Sequence, residues 1–92
     1  MDIHQADNGK KGMFYIGELQ TTVAEMTYVW SGNKIIIDHT GVDETLQGQN
    51  IGKRLVDSAV QFARAKEIKI FALCPFAKSV FDKNPEYADV LF

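Results

Sequence analysis

Hydrophobic residues change their spacing at a short glycine-containing stretch, QGQNIG, residues 47–52. Before it, TTVAEMTYVW alternates: Val23, Glu25, Thr27 and Val29 fall on one side, Ala24, Met26, Tyr28 and Trp30 on the other. That is the period of a half-buried strand. After it, Ile51, Leu55, Ala59, Phe62 and Ala63 recur at helical spacing while Lys53, Asp57, Gln61 and Arg64 fall elsewhere, which predicts an amphipathic helix to about Lys66. With only 92 residues, strands and helix must share one core.

Turn residues divide the rest into short elements. DNGKKG at 7–12 separates a short first strand from MFYIGEL, and SGNK at 31–34 leads into KIIIDHTGV with its β-branched run Ile35, Ile36 and Ile37. The first 43 residues thus read as an antiparallel meander. IKIFALC at 68–74 reads as a buried strand ended by Pro75, and FAKSVFDKN as a short helix stopped before Pro85. Strand, helix and strand at this spacing form a right-handed crossover, so the strands at 34–43 and 68–74 are expected to be parallel. The predicted fold class is α+β: a mixed sheet, an antiparallel meander followed by a β-α-β crossover and a short C-terminal helix, in one domain over 1–92. Trp30, Phe62, Phe71 and Phe81 are expected in the core.

Charge and cysteine content narrow the function. A formal net charge of -2 supplies no basic domain for nucleic acid. One cysteine makes no internal disulfide, and MDIHQADNGKK has neither the basic start nor the apolar stretch of a signal peptide, so a cytoplasmic setting is expected. No apolar run approaches the roughly 20 residues of a membrane helix, so no membrane partner is expected. No metal is expected either.

Lys53 and Arg54 stand at the start of the predicted helix, where the macrodipole is positive and cations are disfavoured. An anion between them and the helix's unpartnered N–H groups would reverse that balance, and a preceding glycine-rich turn can aim further N–H groups at the same point. Simple solvation of both side chains is the alternative. GQNIGKR is one residue short of a P-loop and puts Arg54 where its Ser or Thr belongs, which disfavours nucleoside triphosphate hydrolysis. The glycine spacing and the antiparallel meander also disfavour a dinucleotide fold.

QGQNIGKRLV, following a strand and opening a long helix, resembles the acetyl-CoA loop of the GNAT superfamily of N-acetyltransferases. That loop is written as Gln or Arg, two residues, Gly, one residue, then Gly or Ala. Gln47, Asn50 and Gly52 take those places, with Asn50 standing where the family prefers Gly. Asn is the non-glycine residue that best tolerates positive φ, so the same turn is expected. HTGV before the loop and CPFAKSVFDKNPEYADV after it resemble the very small, single-domain branch of that superfamily, and the likeness covers roughly residues 10–91.

The resemblance implies an acetyl-CoA cleft between two parallel strands that splay apart at their C-terminal ends. Gln47, Gly48 and Asn50 would shape the loop. The N–H groups of Gln49, Ile51, Gly52 and Lys53 would meet the pyrophosphate, with Arg54 adding charge. The N–H of Val42 would polarise the thioester carbonyl, an oxyanion-type role. The acceptor surface is expected to be open, because the early helices and C-terminal strands of larger members are lacking.

An amine must be neutral to attack, and an imidazole titrates in the range to take its proton. His39, near the end of the central strand, is the expected base, with a structural histidine beside Thr40 as the alternative. Cys74, just before Pro75, is expected to approach His39 across the splay, allowing an acetyl-cysteine intermediate; a buried core thiol is the plainer reading. Glu44 is a rival base, Tyr87 either protonates the departing thiolate or caps the core, and His4 has little claim. The predicted activity is acetyl transfer from acetyl-CoA to an unidentified amine, by a monomer or weak homodimer. A non-catalytic acyl-CoA-binding module, an interaction protein, or an adaptor that binds no CoA are the alternatives.

Overall fold

The alternating half of the chain supplies four strands of a five-stranded sheet of order β1-β2-β3-β4-β5, in a computed structural model that describes residues 2–92. The strands are β1 (His4–Asp7), β2 (Lys11–Glu18), β3 (Thr21–Ser31), β4 (Lys34–Val42) and β5 (Lys69–Ala72). The first four pair antiparallel in sequence order, and β5 pairs parallel to β4. The crossover between β4 and β5 carries α1 (Ile51–Lys66); α2 (Pro75–Lys83) and a 3-10 turn (Pro85–Val90) come after β5. The mixed α+β sheet, the meander and the parallel pair are as the sequence predicts.

One face of the sheet makes the core. Phe14, Ile16, Ala24, Met26, Tyr28, Ile35, Ile37 and Ile70 are buried in one cluster with Ile51, Leu55, Val56, Ala59, Val60 and Ala63 of α1. Each large aliphatic side chain so buried contributes about 1.5–3 kcal/mol. Val56 and Val60 widen the apolar stripe beyond the predicted set, while Phe62 lies at its flank, edge-on to Phe14 and Trp30 at 5.9 and 6.0 Å between ring centroids. Phe62 and Trp30 are partly buried, and Phe81 is buried as expected.

β5 departs from the expectation of a buried strand over 68–74. It spans four residues, only Ile70 is fully buried, and Phe71 is 41% exposed instead of lying in the core. The apolar run IFAL misleads because β5 lies at the edge of the sheet, with helices on one face only. Cys74 falls outside the strand and caps α2, with Pro75 in the first turn.

An extra residue in β4 decides which way the end of that strand faces. Tyr28 pairs with Ile37 but Thr27 pairs with His39, so Asp38 is bulged. Without the bulge, residues 39 and 41 would share the core face with Ile37; with it, Thr40 pairs with Met26 and Val42 with Ala24, and both turn toward the core.

Candidate active site

The parallel ladder stops early. Ile37 and Ala72 are the last Cα partners, after which the N–H groups of both Leu73 and Cys74 donate to the Ile37 carbonyl, at 3.0 and 2.9 Å. β4 runs on to Val42 with no partner on that side, leaving a gap between the strand ends. The Asp43 N–H donates to Val23 on β3, and the Val42 carbonyl accepts from the Gln47 side chain at 3.3 Å. Since edge direction alternates along a strand, the Val42 N–H opens toward the gap.

The connection from β4 to α1 is built from local turns. The Asp43 carboxylate accepts from the Thr45 N–H and hydroxyl at 2.9 and 2.8 Å, which holds its pKa below the usual value and starts the 3-10 turn Glu44–Leu46. Gly48 has φ +83°, and Asn50 is left-handed at φ 56°, ψ 27°, as expected of the residue standing for Gly. The Arg54 N–H makes the first helical bond, to Asn50, leaving the N–H groups of Ile51, Gly52 and Lys53 without helical partners.

These elements wall a cleft of about 510 Å³. Thr40 and Val42 of β4 and Gln47, Gly48, Asn50, Ile51, Gly52 and Lys53 of the loop form one side. Phe76, Ser79, Val80, Lys83 and Asn84 form the other. The charged side chains of this lining are Lys53 and Lys83, and it contains no carboxylate, although the chain as a whole is net acidic. The Phe76 ring stands over Gly52 so closely that an added Cβ would fall 2.1 Å from Cζ. A side chain at position 52 would therefore have to displace the exposed Phe76 ring, while the backbone angles of Gly52 do not themselves call for glycine. Gln49 and Arg54 do not line the cleft. Arg54 lines a second cavity of about 540 Å³, with Lys53, Asp57 and Tyr87.

The α2 wall was missed by sequence reasoning, yet Phe76, Ser79, Val80 and Lys83 recur at helical spacing within the stretch read as a helix. That periodicity was the available signal.

The expected catalytic pair is separated. Thr40 faces the core side, and Cys74 Sγ lies 3.6 Å from its Oγ1. His39 is exposed on the other face: a Cβ on Gly41, its same-face neighbour, would stand 3.3 Å from His39 Nε2. The bulge at Asp38 is the reason, and Thr40 takes the place expected for His39. Burial pushes the Cys74 thiol up, but hydrogen bonds from the Ala77 and Phe76 N–H groups at the start of α2, together with Thr40, outweigh it and leave the pKa lowered.

Tyr87 turns away from the cleft and donates to Asp57 Oδ1 at 2.8 Å. Burial and that carboxylate push its pKa up to about 12. Glu44 is exposed in the 3-10 turn, outside the cleft lining. His4 lies in β1, its ring 5.4 Å from that of Tyr15.

A splayed parallel pair, a left-handed turn and a helix start facing a basic cleft define an acyltransferase-type fold. Residues 13–90 match the family described as GCN5-related N-acetyl-transferase, and the chain belongs to that family. It is 42% identical to a GCN5-like N-acetyltransferase candidate from Staphylococcus aureus, with a TM-score of 0.80 over 99% of this chain and 87% of that one. Tetrahymena GCN5 shares the fold at a TM-score of 0.65 and 15% identity, covering 83% of this chain and 51% of that one. The ribosomal-protein-S18-alanine N-acetyltransferase of Escherichia coli shares it at 0.67 and 11%, covering 84% of this chain and 53% of its own length. No curated protein matches the chain. No helix among the described residues is long and apolar enough to cross a membrane.

Proposed function

We propose that this chain binds acetyl-CoA in the cleft between β4 and α2 and transfers its acetyl group to an amine. The observation that carries this reading is a cleft whose lining has two lysines and no carboxylate, built against three helix-start N–H groups without helical partners. That donor set fits a pyrophosphate. Acetyl-CoA supplies the activated thioester, and the remaining work falls to the chain.

The N–H groups of Ile51, Gly52 and Lys53 hold the phosphates, with Lys53 and Lys83 balancing their charge. The Val42 N–H, facing the gap, receives the carbonyl oxygen as negative charge develops on it. The amine nitrogen attacks the carbonyl carbon from the uncovered face of the sheet; the C–N bond forms, the C–S bond breaks, and the sulfur leaves with the bonding pair. His39, on that face, takes the proton the amine loses, and the proton is returned to the departing thiolate through solvent.

Cys74 supports a second reading, in which its thiol accepts the acetyl group before the amine does. Its contact with Thr40, which lines the cleft, and its lowered pKa favour that route.

The test is a titration of acetyl-CoA followed by amide NMR shifts, with Gly52→Glu alongside. The variant sets a carboxylate at the helix start and against Phe76. Binding by the wild type with shifts across residues 47–55, and none by the variant, supports the cofactor site. Turnover that falls in His39→Ala, with the acid limb of its pH profile removed, supports the transferase. Binding without turnover toward any amine leaves an acyl-CoA-binding module, and no binding at millimolar cofactor removes both readings.

A further inference from the structure

We infer that Thr40 protonates the departing sulfur, and that Cys74, behind it, supplies the proton Thr40 gives up. The inference rests on the direct-transfer reading above and assigns it a general acid.

The gap between the strand ends has a closed end and an open one. It closes where the Leu73 and Cys74 N–H groups both reach the Ile37 carbonyl, and it opens toward the start of α1. Phosphates held at the helix start leave the thioester to the closed end, alongside Thr40 and Val42. Tyr87, the donor expected for the sulfur, gives its proton to Asp57 and does not line the cleft. The hydroxyls in the lining are those of Thr40 and Ser79. Ser79 stands one helical turn before Lys83 and shares its side of α2, the phosphate side. Thr40 shares a face of β4 with Val42, two residues or about 7 Å along the strand.

Behind Thr40 lies a second donor. Cys74 is 7% exposed and does not itself line the cleft, but its thiol donates to Thr40 Oγ1 at 3.6 Å. A hydroxyl accepts and donates at once, so Thr40 can take this proton while offering its own to the cleft. A nucleophile must meet the carbonyl carbon, whereas a proton source need only touch Thr40, and that is the contact Cys74 makes.

As the C–S bond breaks, Thr40 Oγ1 gives its proton to the sulfur, which holds the bonding pair, and takes the proton of Cys74 Sγ in its place. The negative charge ends on Sγ. Burial pushes this thiol up, but donation to its anion by the Ala77 N–H, the Thr40 hydroxyl and the Phe76 N–H outweighs burial and leaves the pKa lowered. An anion held in this way is a weaker base than an alkyl thiolate in water, so the proton moves downhill. Solvent then carries the proton released by His39 back to Sγ, and the cycle closes.

The experiment pairs calorimetry of the full chain with CoA and desulfo-CoA against steady-state kinetics with acetyl-CoA and n-butylamine. Wild type should bind CoA about threefold or more tighter than desulfo-CoA; Thr40→Val should remove most of that difference, and Thr40→Ser should keep it. In Thr40→Val, kcat should fall about a hundredfold with the KM for acetyl-CoA unchanged, and Thr40→Ser should recover it. Cys74→Ser, whose hydroxyl holds its proton, should lower kcat about tenfold. Adding Cys74→Ser to Thr40→Val should cost nothing further, because the two groups act in series. Equal wild-type affinity for CoA and desulfo-CoA would overturn the proposal, even with butylamine turnover too slow to measure. Additive losses in the double variant would also overturn it, as would an acetyl group on Cys74 that passes to butylamine as fast as turnover. Failure of the cofactor reading shows differently, as no heat from either ligand at millimolar concentration.

Discussion

At the scale of single residues, the chain relies on a few positions whose chemistry admits few substitutes. The Tyr28 hydroxyl is buried where β1 joins the sheet, donating to Asp7 Oδ2 and accepting from Gln5 Nε2, while the Trp30 indole donates to the same carboxylate. The ring reaches that point because Gly12 leaves a notch: an added Cβ would fall 2.5 Å from the Tyr28 hydroxyl. Tyr28→Phe should cost about 1–3 kcal/mol in urea denaturation, because Gln5 and Asp7 lose a shared partner. Burial pushes the Asp7 carboxyl up, but donation from Tyr28, the Gly9 N–H and Trp30 outweighs it and leaves the folded pKa lowered. A carboxylate held low in the folded state contributes stability above its unfolded value of about 4 and loses it as pH falls through the folded value. Melting temperatures taken from neutrality to about pH 2 should therefore fall on the acid side, and fall less steeply in Asp7→Asn. Asn50 is the second such position. Its left-handed backbone was legible from the sequence, because Asn in the place of a family Gly calls for positive φ. Asn50→Ala should cost about 1–2 kcal/mol and weaken acetyl-CoA binding, whereas Asn50→Gly should do neither.

At the scale of elements, the switch from alternation to helical spacing was enough to place α1 and the meander, because both elements bury one face and their periods differ. The bulge in β4 was hidden for the complementary reason. IIIDHTGV has no side chain that marks an extra residue, and the register is set by pairing with β3, so the faces of His39 and Thr40 are decided by tertiary structure alone. Edge position likewise cannot be read from β5 itself, which is why Phe71 reads as core. The end of α1 carries a feature with a measurable consequence. Glu67 caps the helix in a left-handed conformation at φ 56°, its N–H reaching the Ala63 and Arg64 carbonyls while the Ile68 N–H also reaches Ala63. The hydrogen bonds are those of a glycine cap, but the residue has a Cβ and is strained by it. Glu67→Gly should therefore stabilise the fold by about 1 kcal/mol, seen as a higher denaturant midpoint with an unchanged slope.

At the scale of the whole molecule, a net charge of -2 sets the chain against an anionic ligand, so binding depends on local charge. At physiological salt the Debye length is about 8 Å, which lets a charged group at the cleft act on phosphates there while more distant carboxylates are screened. Lys53 and Lys83 approach the cleft from α1 and α2, and their joint presence is a property of the closed fold that neither segment reveals alone. If both lysines act on bound phosphates, Lys53→Gln and Lys83→Gln should each weaken acetyl-CoA binding by roughly three- to tenfold in calorimetry. Raising the salt should weaken wild-type binding more than that of the double variant. The double variant separates two arrangements. Lysines that serve different phosphate oxygens independently should give additive losses in free energy, whereas lysines that share one phosphate should be coupled, so that the second substitution costs much less than the first. A wild-type affinity insensitive to salt would contradict both and leave the helix-start N–H groups as the whole of the anion site.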